Sequence, residues 1–202
     1  MVPADKEFLT LLREASREVG AVLIFDEVIT SRLHIHGLQG AHGITPDMTT
    51  LGKYIGGGFS FGAFGGKAEI MNLFSPSGGA LSHSGTFNNN IFTMTAAIKT
   101  FELVTKDEIE RINELGNLLR DNGNDIAKDY PLSLTGIGSA VGFHFAGENK
   151  DALRDTFYFF LLQKGMMIGR RGFVSLNLVH ERCHIERLLD AMREFVEVFL
   201  PS

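Results

Sequence analysis

A continuous apolar run at residues 21–25, Ala-Val-Leu-Ile-Phe, constrains the fold of this chain more than any other feature. The run shows no polar alternation, which predicts a strand covered on both faces, as in a parallel sheet. It follows residues 8–19, whose apolar positions recur at helical spacing, and Gly20, which suits a helix end. A helix followed by such a strand predicts an α/β architecture.

Two acidic residues, Asp26 and Glu27, come directly after this run. In open α/β sheets, ligands bind beyond the carboxyl ends of the strands. Acidic side chains at that edge are therefore candidates for a functional site.

A glycine-dense region at residues 37–66 carries the next candidate, Lys53, which precedes the triple glycine at 56–58. Glycine at this density predicts close backbone approaches or positive φ angles. A polar segment at residues 83–90 contains Gly85 and Thr86 and leads into a helical pattern from Ile91. The amino end of that helix would suit an anion.

These pieces match the needs of one cofactor, pyridoxal 5′-phosphate (PLP). PLP requires a lysine amine, an acid beside its pyridine nitrogen and donors for its phosphate. Lys53, Asp26 and the pair Gly85 and Thr86 could supply them.

The same segments resemble the class III aminotransferases, and most of all the glutamate-1-semialdehyde 2,1-aminomutase branch. The resemblance is strong from Phe8 to about Leu103 and weaker beyond, and it is to the C-terminal half of such an enzyme. The motifs that carry it are Leu-Ile-Phe-Asp-Glu-Val at 23–28, Thr-Pro-Asp-Met-Thr-Thr-Leu-Gly-Lys-Tyr-Ile-Gly-Gly-Gly at 45–58, and Gly-Ala-Phe-Gly-Gly at 62–66.

This resemblance implies an α/β enzyme of PLP-dependent transferase fold type I. Residues 1–105 would be the C-terminal part of the PLP-binding large domain, with a mainly parallel sheet. Residues 106–202 would form a small C-terminal α+β domain. For that part the sequence predicts helices near 106–128, 151–164 and 185–199, with strands within 132–145 and at 173–179.

The resemblance also implies residue roles. Lys53 would form the internal aldimine with PLP and move the substrate proton, while Asp26 would pair with the pyridinium nitrogen. Val28 would pack on one face of the ring. Thr86 and the Gly85 amide would reach the cofactor phosphate from the partner subunit, which implies a homodimer with shared active sites.

Two departures from the family pattern leave alternatives open. Residues 29–34 read Ile-Thr-Ser-Arg-Leu-His where the family usually has Thr-Gly-Phe-Arg, so the usual substrate does not transfer. A phosphate-binding turn and a ring-stacking aromatic that lie upstream in the family are absent. The chain could be a truncated aminotransferase or aminomutase, a weakly active dimerisation remnant, or an enzyme of another fold type I PLP reaction.

Two other motifs are weaker candidates for a functional site. His180-Glu181-Arg182-Cys183-His184 matches a zinc-binding pattern, but it follows a strand directly and is predicted to be a turn into the last helix, so no metal is expected. The paired Arg170 and Arg171 suit the binding of a carboxylate ligand, and a structural ion pair is the alternative role.

Composition limits the partners and the compartment. The net charge of −5 and the scattered basic residues disfavour nucleic acid, and no apolar run suits a signal peptide or a membrane span. A single cysteine fits a reducing, cytoplasmic location. Small amino and keto compounds are the expected substrates.

Overall fold

Helices and strands alternate along the first half of the chain in the computed structural model, which describes residues 2–200. The helices are α1 (Lys6–Glu18), α2 (Gly37–His42), α3 (Ala68–Met71), α4 (Ile91–Leu103), α5 (Lys106–Ala127), α6 (Lys150–Gln163) and α7 (Arg182–Phe199). The strands are β1 (Ile24–Asp26), β2 (Met48–Gly52), β3 (Gly62–Gly66), β4 (Leu132–Ile137), β5 (Ala140–Phe145) and β6 (Phe173–Ser175).

The chain separates into two compact units, the first spanning Ala4–Ile109 and the second beginning at Glu110. Each has its own three-stranded sheet. The first sheet has the order β1-β2-β3, in which β1 and β2 are parallel and β3 is antiparallel to β2. Because Asp26 pairs with Thr50, the carboxyl ends of both parallel strands lie at the same edge.

The expectation that residues 21–25 form a strand covered on both faces is wrong. The strand begins only at Ile24, and the side chains of Val22 and Ile24 are 55% and 52% exposed. The reason is that β1 is an edge strand of a three-stranded sheet, so about half of each of these residues stays exposed.

A buried carboxylate, Asp47, joins the elements of the first unit. Asp47 lies 3.0 Å from the Arg13 guanidinium of α1 and 2.8 Å from Lys67 Nζ, and it accepts a hydrogen bond from the Leu23 amide. The hydrogen bond from Lys67 is the largest cause that holds the pKa of Asp47 well below its usual range, followed by those from Leu23 and Arg13. These contacts tie α1 and the residues before β1 to the start of β2.

The second unit packs around an aromatic core. Its strands run in the order β4-β5-β6, all antiparallel, and α6 and α7 pack on the sheet. Phe157 of α6 is fully buried, with its ring centroid 4.8 Å from Phe195 and 5.2 Å from Phe143. The helices and strands expected after residue 105 are confirmed, although β6 is shorter than the sequence indicates.

Within residues 2–200, no helix has both the length and the apolar character that a membrane crossing requires.

Candidate functional site

The carboxyl edge of the first sheet brings Asp26 and Lys53 together. Asp26 is the last residue of β1, and Lys53 follows β2 directly as the first residue of a 3-10 turn, Lys53–Gly56. Both side chains are exposed. Because β1 and β2 are adjacent and parallel, the two residues lie at the same edge of the sheet.

Local hydrogen bonds orient the Asp26 carboxylate. Asp26 Oδ1 accepts from the Val28 amide at 3.1 Å and from Thr50 Oγ1 at 2.9 Å. The backbone bond from Val28 is the largest cause of the lowered pKa of Asp26, and the Thr50 bond is the second. The side chain is therefore held as an oriented anion at the sheet edge over the neutral pH range.

Lys53 has an unusual backbone conformation. Its φ angle is 52°, in the left-handed region, where a residue with a side chain is uncommon. Such conformations store roughly 1–3 kcal/mol and cluster at functional sites. In the glycine segment that follows, Gly57 and Gly58 also have positive φ angles, as the sequence predicts.

Val28 lies against the backbone that precedes Lys53. A Cβ atom built on Gly52 would lie 3.4 Å from Val28 Cγ1 and 3.2 Å from the Phe61 carbonyl oxygen. A larger residue at position 52 would crowd both groups. Asp26, Val28 and Lys53 thus all lie at one edge of the first sheet.

Gly85 and Thr86 are not part of this cluster. Both are exposed in the turns before α4, and neither forms a hydrogen bond with Asp26 or Lys53. The amino end of α4 is also less open to an anion than expected, because Asn90 Oδ1 accepts from the amides of Phe92 and Thr93. The predicted contact with a cofactor phosphate stays a prediction.

Glu27 is a buried residue whose role the sequence did not reveal. It is only 2% exposed, and its carboxylate accepts from the amides of Leu38 and Gln39 and from the Thr30 hydroxyl. Its donors lie up to 12 positions later in the chain. Its place after the apolar run made it a candidate in the sequence, but no local pattern indicated its burial or its donors.

The candidate zinc motif at residues 180–184 and the candidate carboxylate-binding Arg170 both form hydrogen bonds within the protein. Helix α7 begins at Arg182, so His180 lies before it, and the Nδ1 atoms of His180 and His184 accept backbone hydrogen bonds in the turn. No metal-binding group of three or more ligands occurs in the described part of the chain. Arg170 forms two hydrogen bonds with Asp155, the structural alternative to carboxylate binding.

Comparison with known proteins identifies the family. The chain matches the model of the aminotransferase class-III family over residues 1–196, and it belongs to that family. A beta-phenylalanine transaminase of Variovorax paradoxus is 43% identical over 96% of this chain and 48% of its own length. A glutamate-1-semialdehyde 2,1-aminomutase of Halalkalibacterium halodurans is 38% identical over the same shares.

Solved structures agree with this assignment. A beta-phenylalanine aminotransferase from Variovorax paradoxus has a TM-score of 0.94 at 42% identity and covers 100% of this chain and 50% of that one. A structure described as a transaminase with PLP bound has a TM-score of 0.91 at 31% identity, covering 97% and 48%. The fold is that of fold type I PLP-dependent transferases, and PLP is the cofactor of the family.

The chain spans about half the length of the relatives that it matches. The residues described here fit the ring end of PLP, because an oriented anion, an exposed lysine and an apolar side chain meet at the sheet edge.

Proposed function

We propose that this chain takes part in PLP-dependent amino-group transfer, with Lys53 as the residue that bonds covalently to the cofactor. The observation that carries the proposal is the placement of Asp26 and Lys53 at the shared carboxyl edge of two adjacent parallel strands. An enzyme of this kind relocates or transfers an amino group between small amino and keto compounds.

When bound, PLP supplies an electron-accepting ring that weakens the bonds at the carbon carrying the substrate amine. The Asp26 carboxylate would keep a proton on the pyridine nitrogen. The lowered pKa of Asp26 suits this task, because the group stays ionised at neutral pH and needs no rearrangement to act as an anion. The hydrogen bonds from Val28 and Thr50 would keep the carboxylate oriented.

Lys53 would bind the cofactor through Nζ and later exchange a proton with the substrate carbon. Its exposed position at the end of β2 leaves the amine accessible, and the left-handed backbone sets the direction in which the side chain leaves the strand. Val28 would pack against one face of the ring, since it already lies beside Gly52.

Gly85 and Thr86 would contact the cofactor phosphate of a second subunit, which makes a homodimer with shared sites part of the proposal. Their exposure supports this assignment. Helix α4, which follows them, presents Ile91, Phe92 and Ile98 at 72%, 69% and 63% exposure. Apolar side chains exposed in this number favour contact with another protein surface.

The substrate class is narrowed only by the relatives. A beta-phenylalanine transaminase and glutamate-1-semialdehyde aminomutases both match, so the amino compound that we propose is an amino acid or a close derivative of one. Residues 29–34 differ from the family pattern and follow Val28, where they could contribute to substrate selection.

A second candidate function is that of a weakly active association partner. It is favoured by the exposed apolar side chains of the first unit, together with the half-length match to the relatives. The 202 residues alone would then self-associate and bind PLP more weakly than a relative of full length. Sedimentation velocity combined with a PLP titration tests this alternative.

Covalent trapping tests the main proposal. After incubation with PLP, borohydride reduction and peptide mapping should find the pyridoxyl group on Lys53. Lys53→Ala should abolish this label completely, together with turnover. Lys99→Ala, which removes another exposed lysine of the same unit, is the control and should leave both unchanged. A label that persists in the Lys53→Ala variant would remove Lys53 from the mechanism.

A further inference from the structure

Glu27 is held more firmly than either of its neighbours in the site. Its backbone amide donates to the Thr50 carbonyl at 3.0 Å, and its carbonyl accepts from the Ser31 amide at 2.9 Å. Its carboxylate accepts from the Leu38 amide at 3.0 Å and the Gln39 amide at 2.6 Å. Residue 27 is thus anchored through both its main chain and its side chain.

The chain around Gly37 is shaped to receive this carboxylate. A Cβ atom built on Gly37 would lie 3.0 Å from Glu27 Oε1 and 3.1 Å from Glu27 Cδ, and the φ angle of Gly37 is 71°. A side chain at position 37 would therefore meet both a steric and a conformational obstacle. The Thr30 hydroxyl group is the third donor to the Glu27 carboxylate.

These contacts join the segment from Thr30 to Gln39 to the end of β1. Val28 lies beyond the last paired residue of that strand, so sheet hydrogen bonds do not hold it directly. The anchored residue before it, and Ser31 after it, limit where Val28 can lie. The same anchor limits Asp26, because Val28 supplies the backbone amide that orients the Asp26 carboxylate.

We propose that Glu27 is a positioning residue, whose buried carboxylate holds Asp26 and Val28 in place for the pyridine ring of PLP. This inference rests on the proposed function and assigns no direct cofactor contact to Glu27. Glu27→Gln keeps the size of the side chain but turns an NH₂ group toward amide donors, so at least one donor loses its partner. The ring-contact residues would then lose their common anchor.

A general loss of stability must be separated from a loss of positioning, and Asp47 provides the control. Like Glu27, it is a buried carboxylate of the first unit that accepts a backbone amide, but it lies at the other end of β2. Asp47→Asn should lower stability without moving Asp26 or Val28.

The experiment is a PLP titration of the wild type, Glu27→Gln and Asp47→Asn. It measures the dissociation constant and the visible circular dichroism per bound cofactor, which reports the asymmetric surroundings of the ring. For Glu27→Gln we expect affinity to fall about 10- to 100-fold, the range for residues that orient direct ligands, with altered dichroism at saturation. For Asp47→Asn we expect both readouts to stay near the wild-type values.

Thr30→Val removes a single donor to the same carboxylate and keeps the inference testable if Glu27→Gln does not fold. It should change the dichroism in the same direction by a smaller amount. Equal changes in the Glu27 and Asp47 variants, or an unchanged Thr30→Val spectrum alongside a misfolded Glu27→Gln, would overturn the positioning role alone. A wild type that binds no PLP would overturn the proposed function and this inference together.

Discussion

The two units of this chain differ in how completely they bury their own apolar side chains. The second unit closes around a continuous core in which Phe157, Leu161, Met192 and Phe195 are fully buried. In the first unit the buried apolar side chains are few: Leu33, Ile44, Ile55, Ala97 and Ile109. Its helices α1 and α4 and the run before β1 expose many others. The unit that carries the candidate site is therefore the one with the less complete core.

The difference shows that an apolar sequence pattern does not ensure that the same chain buries those side chains. An open cavity of about 620 Å³ in the first unit is lined by Met48, Leu51, Ile55 and Phe101, side chains of the kind that normally meet protein. Exposed apolar side chains of this kind favour contact with another protein surface, and the chain matches about half the length of its relatives. The second unit has the closed core of a small independent domain.

The largest expected effect tests the core of the second unit. Phe157→Ala should lower the free energy of unfolding by about 3–5 kcal/mol, because it leaves a cavity among Phe143, Phe145 and Phe195. Phe101→Ala in the first unit, where the ring is 62% exposed, should change it by about 0.5 kcal/mol or less. Urea denaturation followed by circular dichroism measures both, and similar losses would break the comparison.

The next effect separates chemistry from stability within the first unit. Asp26→Asn should reduce turnover by about 10²- to 10³-fold, the usual result of removing one electrostatic partner of developing charge. The thermal midpoint should hardly change, because the side chain is exposed and an amide oxygen can still accept from Val28 and Thr50.

The pH profile sharpens the Asp26 prediction. Since the pKa of Asp26 is lowered, protonation of this group should not reduce wild-type activity until the pH is below its ordinary value of about 3.9. Steady-state kinetics and a melting curve on the same samples check both points. A variant with a near-normal rate would show that the carboxylate is dispensable.

A smaller effect concerns the exposed face of α4. The double variant Phe92→Ser, Ile98→Ser should weaken self-association by about tenfold or more if this face contacts another subunit. Phe159→Ser, at a 52% exposed position of the second unit, is the matched control and should have little effect. Sedimentation velocity over a range of concentrations distinguishes them; an unchanged association constant in the double variant would place the contact elsewhere.

A further effect appears in acid and concerns Asp47. Its folded-state pKa is lowered, so its contribution to stability is complete above the unfolded-state pKa of about 3.9 and is lost as the pH falls toward the folded value. Asp47→Asn should therefore be less stable at pH 7 and show a flatter loss below about pH 4. Asp151→Asn, an exposed ion-pair variant of the second unit, should keep the wild-type slope. Parallel slopes for the wild type and Asp47→Asn would contradict this account.

The sequence was sufficient for one part of the site, the strand that ends at Asp26. Lys53 follows β2, a strand that the sequence did not indicate, so the grouping of Lys53 with Asp26 came from the needs of PLP and from the family resemblance. Glu27 could not be assigned, because its burial depends on backbone donors about a dozen residues away. No local pattern records such a contact.

Strand β3 shows that the fold also depends on contacts that the local sequence does not reveal. Its sequence, Gly-Ala-Phe-Gly-Gly, has low strand propensity, and it forms a strand because β2 offers it a complete antiparallel partner. The edge position of β1 could not be predicted either, since an apolar run does not reveal which residues pack against it. In both cases tertiary contacts determine the structure that the segment adopts.

The left-handed backbone of Lys53 also bears on the history of the chain. Glycine would occupy φ = 52° without the steric penalty of roughly 1–2 kcal/mol that other residues incur there, and asparagine tolerates it well. A protein relieved of selection for its chemistry could thus gain stability by a single substitution at position 53. Lineages that have abandoned the reaction should drift toward glycine or asparagine at this site, and those that retain lysine forgo that gain in stability.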